Sequence, residues 1–255
     1  MAKRIRKDWR VRMNHKTIHQ VWVGEADIPD EELAFAETFR KKCPDWMLLL
    51  WTDNPDKFKD GPWHDRHAPP ESHLGQCFKV IRERTDPKIL PALMSDIIRL
   101  DVLTLFGGVY MDTDIYCVKD ITPLFARPKL ALAHEYMNNA VGNCMIAAER
   151  EHPALYTCMN NIYFKIQAVV IRGGRMEPVP ITGPHPVRES LSSHPDCVVF
   201  PYEVFSPWNP FYVLPDMDSV KWSKRTYAVH GFASKWTTLD RSTDLEGAGL
   251  VPTWR

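Results

Sequence analysis

The chain has 255 residues, of which 44% are hydrophobic and 25% are charged, the composition of an ordinary globular protein. Its 32 basic and 32 acidic residues balance, which argues against a nucleic-acid-binding protein, because such proteins are usually basic. No apolar run approaches the ~20 residues that a membrane-spanning helix needs, and the first residues lack the apolar centre of a secretory signal peptide.

The first 16 residues are strongly basic, so we expect a tail (1–16) followed by a single domain (17–255). A charge run of this kind predicts a solvated tail. It could also bring the protein to an anionic membrane, since each basic residue near such a surface contributes ~1 kcal/mol. The charged residues are Lys3, Arg4, Arg6, Lys7, Asp8, Arg10, Arg12 and Lys16.

The six cysteines are scattered and form no C-x-x-C pair. Their mostly apolar surroundings predict reduced core residues in a cytoplasmic protein. They are Cys43, Cys77, Cys117, Cys144, Cys158 and Cys197.

The opening of the domain has a β-α-β pattern. Residues 17–23 predict a first strand, Asp30 a helix N-cap, and residues 46–51 a second strand. This order is typical of a nucleotide-binding α/β layer.

The next segment, residues 57–70, is polar and predicts a long surface loop. His64 and His67 have a spacing that zinc ligands can adopt, but no further ligand pair accompanies them. A short helix is expected over residues 76–84.

The central stretch from 92 to 120 predicts a buried helix, a glycine stop and a short strand. Apolar residues recur at helical spacing on nearly every side of the helix, and Pro91 suits its first turn. Gly107 and Gly108 can end the helix, and residues 109–111 form the strand.

Two charged pairs in this stretch are not explained by packing. Asp96 and Arg99 lie at i and i+3 on an apolar helix, where they form either a buried structural ion pair or part of a site. Asp112 and Asp114 flank Thr113, and in extended backbone their side chains point the same way. The pair is either a solvated turn or a metal site, because paired carboxylates favour a hard cation between them and Mg²⁺ and Mn²⁺ prefer oxygen ligands.

The rest of the chain predicts further strands and one long helix. A Pro- and aromatic-rich segment, 201–215, is either a sugar cleft or a packed irregular loop. The last strand delivers His230. The predicted ranges are strands 130–134, 143–148, 198–200 and 226–229, helix 154–170, a turn at 138–139 and a loop at 172–175.

The block SDIIRLDVLTLFGGVYMDTD (95–114) resembles the signature of the DXD-containing sugar transferases, a family that includes yeast-type initiating mannosyltransferases and is related to the core of the clostridial glucosylating toxins. The likeness extends, in the family's order, to TIHQVWVG (17–24), ITGP (181–184) and VHGFASKW (229–236).

The resemblance implies a GT-A-type fold, a single α/β domain with a mixed central sheet flanked by helices. It also implies sugar transfer from a UDP- or GDP-sugar with Mn²⁺ or Mg²⁺ and with retention of the anomeric configuration. The acceptor would be a glycan, a lipid-linked glycan or a protein. The cysteines predict a cytoplasmic enzyme, and the basic tail offers a peripheral contact with a membrane.

The same resemblance implies roles for individual residues. Asp114 and His230 would bind the metal, and Asp112 would bind it through water or would contact ribose and sugar hydroxyls. Asp96 and Arg99 would hold the hydroxyls of the transferred sugar and the phosphate or leaving oxygen, and Asn143 would lie near the β-face of the anomeric carbon. The remaining donor contacts would come from Trp22, which stacks on the base, and from Ser234, Lys235 and Trp236 in a lid over the diphosphate.

Two other functions remain open from the sequence. A strand ending in Asp-x-Asp is also the hallmark of HAD-like phosphotransferases, in which the first Asp is a nucleophile. That motif normally follows the first strand of its fold, whereas a long helix precedes it here. The second alternative is a nucleotide-sugar or glycan-binding module without catalysis.

Overall fold

The computed structural model describes residues 16–138, 140–209 and 214–232. Its strands are β1 (Thr17–Val21), β2 (Met47–Trp51), β3 (Asp65–His67), β4 (Gly108–Met111), β5 (Ile115–Cys117), β6 (Leu130–His134), β7 (Val141–Ala148), β8 (Cys197–Phe200) and β9 (Ala228–His230). Its α-helices are α1 (Asp30–Lys42), α2 (Phe78–Arg84), α3 (Leu90–Phe106), α4 (Pro153–Ile171), α5 (Pro178–Ile181), α6 (Pro184–Val187) and α7 (Tyr202–Phe205).

Seven strands form the central sheet in the order β3-β2-β1-β4-β7-β6-β8. Strands β1 to β4 pair in parallel, β7 runs antiparallel to β4 and β6, and β8 is parallel to β6. The short strands β5 and β9 form a separate antiparallel ladder. The sheet is therefore mixed, as the sequence predicts.

Helices cover the sheet on both sides. Tyr110 of β4 packs in a cluster with residues of α3 and α4, whereas its neighbours Val109 and Met111 pack in a second cluster with α1. This alternation follows from the pleat of a strand, which points successive side chains to opposite faces. The result is an α/β/α sandwich that confirms the predicted fold class.

Helix α3 packs on one face of the sheet and ends just before β4 begins. Gly107 and Gly108 adopt φ values of 64° and 100°, which side chains other than glycine rarely take. A Cβ atom on Gly108 would also lie 2.7 Å from the main-chain oxygen of Thr17. The glycine pair therefore lets the chain reverse tightly against β1 and enter the sheet beside it.

Several predicted boundaries are corrected by the structure. The polar segment 57–70 is not entirely a loop, because Asp65–His67 pairs with β2 as an edge strand. The N-cap of α1 is Pro29 instead of Asp30, which is the first helical residue. The imidazole of His64 accepts a hydrogen bond from the Leu48 N–H, so it serves the sheet edge. Within the described residues, neither His64 nor His67 belongs to a group that could hold a metal.

Candidate active site

The carboxyl ends of β1 and β4 open into a cavity of about 340 Å³. Its walls come from the segment after β1, the first turns of α3, the turn after β4 and the start of β7. Open α/β sheets commonly bind ligands at this edge, outside the carboxyl ends of parallel strands. The lining residues that the sequence singles out are Trp22, Asp96, Arg99, Asp112, Asp114 and Asn143.

Asp96, Arg99 and Asn143 form one connected unit in the cavity wall. The Arg99 guanidinium lies 3.0 Å from the Asp96 carboxylate and donates to the main-chain oxygen of Asn143 at 2.7 Å. The Asn143 side chain donates to Asp96 Oδ1 at 2.8 Å. Asp96 and Arg99 are each 5% exposed, so their charges are held apart from bulk water.

Thr182, which belongs to the ITGP motif far along the chain, completes this unit. Thr182 donates its hydroxyl to Asp96 Oδ2 at 2.8 Å. Burial raises the pKa of Asp96 to about 6, although the nearby Arg99 and the Thr182 hydrogen bond work in the opposite direction. The ITGP motif is visible in the sequence, but a contact 86 residues away along the chain is not.

The Asp112–Asp114 pair lies in a turn and not in the extended backbone that the sequence predicts. Asp112 accepts a 2.5 Å hydrogen bond from the Tyr110 hydroxyl and lies 3.5 Å from Arg99. Thr113, between the two aspartates, donates to the buried carboxylate of Glu32 on α1. Tyr110 and Glu32 thus lie in the site, although no motif in the sequence marks them as functional.

The turn brings the paired aspartates to His230. Ile115 and His230 face each other in the β5–β9 ladder, and the Gly231 N–H donates to the main-chain oxygen of Asp114. His230 Nε2 lies 3.4 Å from Asp114 Oδ1 and 4.0 Å from Asp112 Oδ2.

Ligand atoms of Asp112, Asp114 and His230 all lie within 4.8 Å of one another. Burial raises the pKa of Asp112, and the neighbouring Asp114 charge adds to this effect against the opposing influence of Arg99. Two carboxylates and one imidazole form a donor set that suits Mn²⁺, and a cation between them would relieve their repulsion. The residues present therefore fit a divalent metal.

A second group, His152, His194 and Asp196, is close enough together to bind a metal but is less suited to it. The Nδ1 atom of His152 accepts from the Ala154 N–H, and that of His194 accepts from the Asp196 N–H. A neutral imidazole whose Nδ1 accepts a hydrogen bond carries its proton on Nε2. Neither Nε2 then offers a lone pair, so this group is better explained as a helix cap with a polar neighbour.

Trp22 lies in the cavity wall, half-buried, and its indole N–H donates to the main-chain oxygen of Ala26 at 2.9 Å. Beside it, the Gly24 N–H donates to the Asp53 carboxylate, a contact that the sequence does not reveal. The predicted lid residues Ser234, Lys235 and Trp236 and nearly all of the basic tail lie outside the described residues.

The mixed α/β/α sheet with an acidic turn after β4 is the arrangement of the GT-A fold. Residues 29–131 match the family model described as the glycosyltransferase sugar-binding region containing the DXD motif. The resemblance noted in the sequence is thereby confirmed.

Two curated relatives illustrate the similarity. The chain is 28% identical over 152 residues to inositol phosphoceramide mannosyltransferase 1 of Schizosaccharomyces pombe, covering 58% of this chain and 42% of the relative. It is 27% identical over 190 residues to lactosylceramide 4-alpha-galactosyltransferase of Rattus norvegicus, covering 69% and 49%. The matched part thus spans less than half of each relative.

Among solved structures, the PaToxG glycosyltransferase has a similar fold, with a TM-score of 0.53 and 21% identity over 69% of this chain and 70% of that one. The relatives named here are all glycosyltransferases, which agrees with the predicted enzyme class. In the part of the chain that the structure describes, no helix has the length and apolar character to cross a membrane.

Proposed function

We propose that this protein transfers a sugar from a nucleoside-diphosphate sugar to an acceptor, using a divalent metal and retaining the anomeric configuration. The observation that carries the proposal is the meeting of two groups in one cavity. The cation-binding set Asp112, Asp114 and His230 lies next to the buried unit of Asp96, Arg99 and Asn143, with which it is in contact through Arg99 and Asp112.

The protein's own residues have separate tasks in this proposal. Asp114 and His230 hold the metal, and Asp112 supports it directly or through water. Arg99, fixed by Asp96, Asp112 and Asn143, presents a positive charge to the diphosphate. Asp96 and Asn143 bind hydroxyls of the transferred sugar. A bound Mn²⁺ or Mg²⁺ supplies Lewis-acid stabilisation for the charge that develops on the departing nucleoside diphosphate.

The other proposed donor contacts come from the cavity wall and from the C-terminal segment. Trp22 offers an aromatic face to the base of a UDP- or GDP-sugar. Ser234, Lys235 and Trp236 are proposed to contact the diphosphate from the C-terminal segment. Both curated relatives named above act, by their names, on ceramide-based glycolipids. We therefore place a lipid-linked glycan first among the acceptors, ahead of other glycans and proteins. We also propose a cytoplasmic location, as the cysteine pattern predicts.

The proposal is tested with a panel of UDP- and GDP-sugars in the presence of Mn²⁺. We expect one donor to release its nucleoside diphosphate and to raise the melting temperature only when the metal is present. Release that continues undiminished in excess chelator would overturn the metal-dependent mechanism. Stable donor binding with no turnover on any acceptor would favour the non-catalytic binding module.

The phosphotransferase alternative is less consistent with the structure. The acidic pair follows β4 instead of the first strand, and Asp112, which would be the nucleophile, lies 3.5 Å from Arg99 and 4.0 Å from His230. A sugar-phosphate panel assayed for phosphate release provides the direct comparison.

A further inference from the structure

The C-terminal end of helix α4 and the loop after it form an exposed, apolar and basic projection. We call Phe164, Ile171, Arg172 and Arg175 the α4 tip. The Phe164 and Ile171 residues are 68% and 83% exposed, the highest values among the exposed large hydrophobic residues of the described chain. Two such side chains on one protrusion differ from the scattered single apolar residues that a soluble surface normally carries.

The two apolar side chains point in the same direction. Phe164 and Ile171 are seven positions apart on a continuous helix, which places them on one face about 10 Å apart along the axis. The opposite face of α4 is buried through Leu155, Ile162 and Ile166, so the exposed pair has no role in the core.

The arginines of the tip are free to meet an external partner. Arg172 and Arg175 are exposed, and among the described residues neither forms an ion pair. The nearby Lys165, by contrast, is paired with Glu189. Between residues 171 and 177, Glu177 is the only acidic residue, so the loop carries a net positive charge.

The tip lies beside the mouth of the cavity. Strand β7 starts at the site, next to Asn143, and ends at Ala148, so α4 runs back toward the site end of the sheet. The loop is held in place because Met176 N–H donates to the Arg84 oxygen and Arg84 donates to the Gly174 oxygen. The chain then continues directly into Pro178 and Val179, which line the cavity.

We infer that the α4 tip docks the protein on a bilayer that contains anionic lipid, with Ile171 and Phe164 entering the interface and the two arginines contacting lipid phosphates. An apolar anchor combined with basic residues is the usual composition of such interfacial contacts. This inference rests on the proposed function, because docking through the α4 tip would present the cavity mouth to a lipid-linked acceptor at the membrane surface.

The experiment measures binding of the full chain to vesicles of phosphatidylcholine, with and without phosphatidylserine, by co-sedimentation at near-physiological salt. The variants are Ile171→Ser and the double variant Arg172→Gln/Arg175→Gln. Val198→Ser is the matched control, because Val198 is an exposed apolar residue on β8 with 43% exposure. The basic residues 1–16 are the same in every protein, so differences report on the tip.

We expect the wild type and the Val198→Ser control to bind anionic vesicles alike, and each tip variant to bind at least about tenfold more weakly. A polarity-sensitive dye on Ile171→Cys should shift to the blue on vesicle addition, and the same dye on Val198→Cys should not. Equal binding by all variants, or no dye shift, would overturn the inference. A concentration-dependent dimer that Ile171→Ser abolishes would also overturn the inference, because the α4 tip would then bind a second copy of the protein.

Failure of this inference can be separated from failure of the proposed function. Vesicle binding is measured without metal or donor, and the tip variants should release nucleoside diphosphate from a soluble donor at the wild-type rate. Vesicle binding with no donor turnover would support the docking surface and overturn the proposed activity.

Discussion

Arg99 donates from Nη1 to the main-chain oxygen of Asn143 at 2.7 Å, and this bond fastens the middle of helix α3 to the beginning of β7. Asn143 in turn donates its side-chain amide to Asp96, three residues before Arg99. The buried ion pair is therefore tied to a strand from outside its own helix. Variants of Asp96 and Arg99 can therefore distinguish a structural role of the ion pair from a functional one.

Asp96→Asn should keep the fold and lose activity. Burial raises the pKa of Asp96 to about 6, so its ionised form costs folding free energy near neutral pH, and a neutral amide removes that cost. The asparagine oxygen can accept from Asn143 and Arg99, its amide nitrogen can donate to the Thr182 hydroxyl, and Arg99 retains Asp112 as a partner. We expect the free energy of unfolding to change by less than ~1 kcal/mol and kcat/KM to fall by ~100-fold or more.

Arg99→Ala is the contrasting variant. It leaves the carboxylates of Asp96 and Asp112 buried without their cation, and removing one partner of a buried pair typically costs ~3–5 kcal/mol. Urea unfolding of the two variants gives the comparison. If Asp96→Asn is as unstable as Arg99→Ala, or if it keeps full activity, the pair is structural.

Asp114→Asn should abolish metal-dependent donor binding without weakening the apo protein. The change removes one of two neighbouring negative charges, so the stability of the metal-free protein should hold or rise. The measurement is the melting temperature with and without Mn²⁺ and donor. Mn²⁺ and donor together should raise the melting temperature of the wild type and leave that of the variant unchanged. Asp60→Asn, at an exposed position away from the cavity, is the control and should respond like the wild type.

The contribution of His19 to the stability of the fold should be lost as the pH falls from 6.5 toward 4. Burial lowers the pKa of this residue from 6.5 to about 4. The neutral ring is held by two hydrogen bonds: Nδ1 accepts from the Trp51 indole and Nε2 donates to the Gly107 oxygen. Between these pH values the unfolded chain binds a proton at His19 that the folded chain does not, so the contribution of this residue to stability falls by about 3 kcal/mol.

The check is the free energy of unfolding measured by urea between pH 4 and pH 7, for the wild type and His19→Gln. The glutamine variant should be less stable at pH 7 and should show a shallower slope in this range. An unchanged slope would mean that other histidines, such as His152, whose pKa is also lowered chiefly by burial, account for the acid sensitivity.

Gly108→Ala should be strongly destabilising, whereas Gly75→Ala should not. Gly108 has a φ of 100°, and an added Cβ would meet the Thr17 oxygen at 2.7 Å, in a part of the backbone that β1 cannot vacate. Gly75 has no atom within 4 Å of an added Cβ. We expect a loss of ~2 kcal/mol or more for the first and a change within ~0.5 kcal/mol for the second, by thermal or urea unfolding.

The sequence by itself determined the local features of this protein. The apolar circumference and the following glycine pair predicted α3 and its end, and the family resemblance marked Asp112, Asp114 and His230 before the structure placed them within ligand distance. These signals are local, because helix periodicity, glycine conformations and short motifs are written in neighbouring residues. The mixed sheet followed from the same resemblance.

Only the tertiary structure decided which distant residues complete the site. Thr182 reaches Asp96, Glu32 reaches Thr113 and Asp53 reaches Gly24 across 86, 81 and 29 positions of the chain. No periodicity encodes such contacts, since they arise when separate elements are packed against one sheet edge. The polar strand β3 was missed for a related reason: an edge strand needs backbone pairing with β2 and little side-chain burial, so its sequence resembles that of a loop.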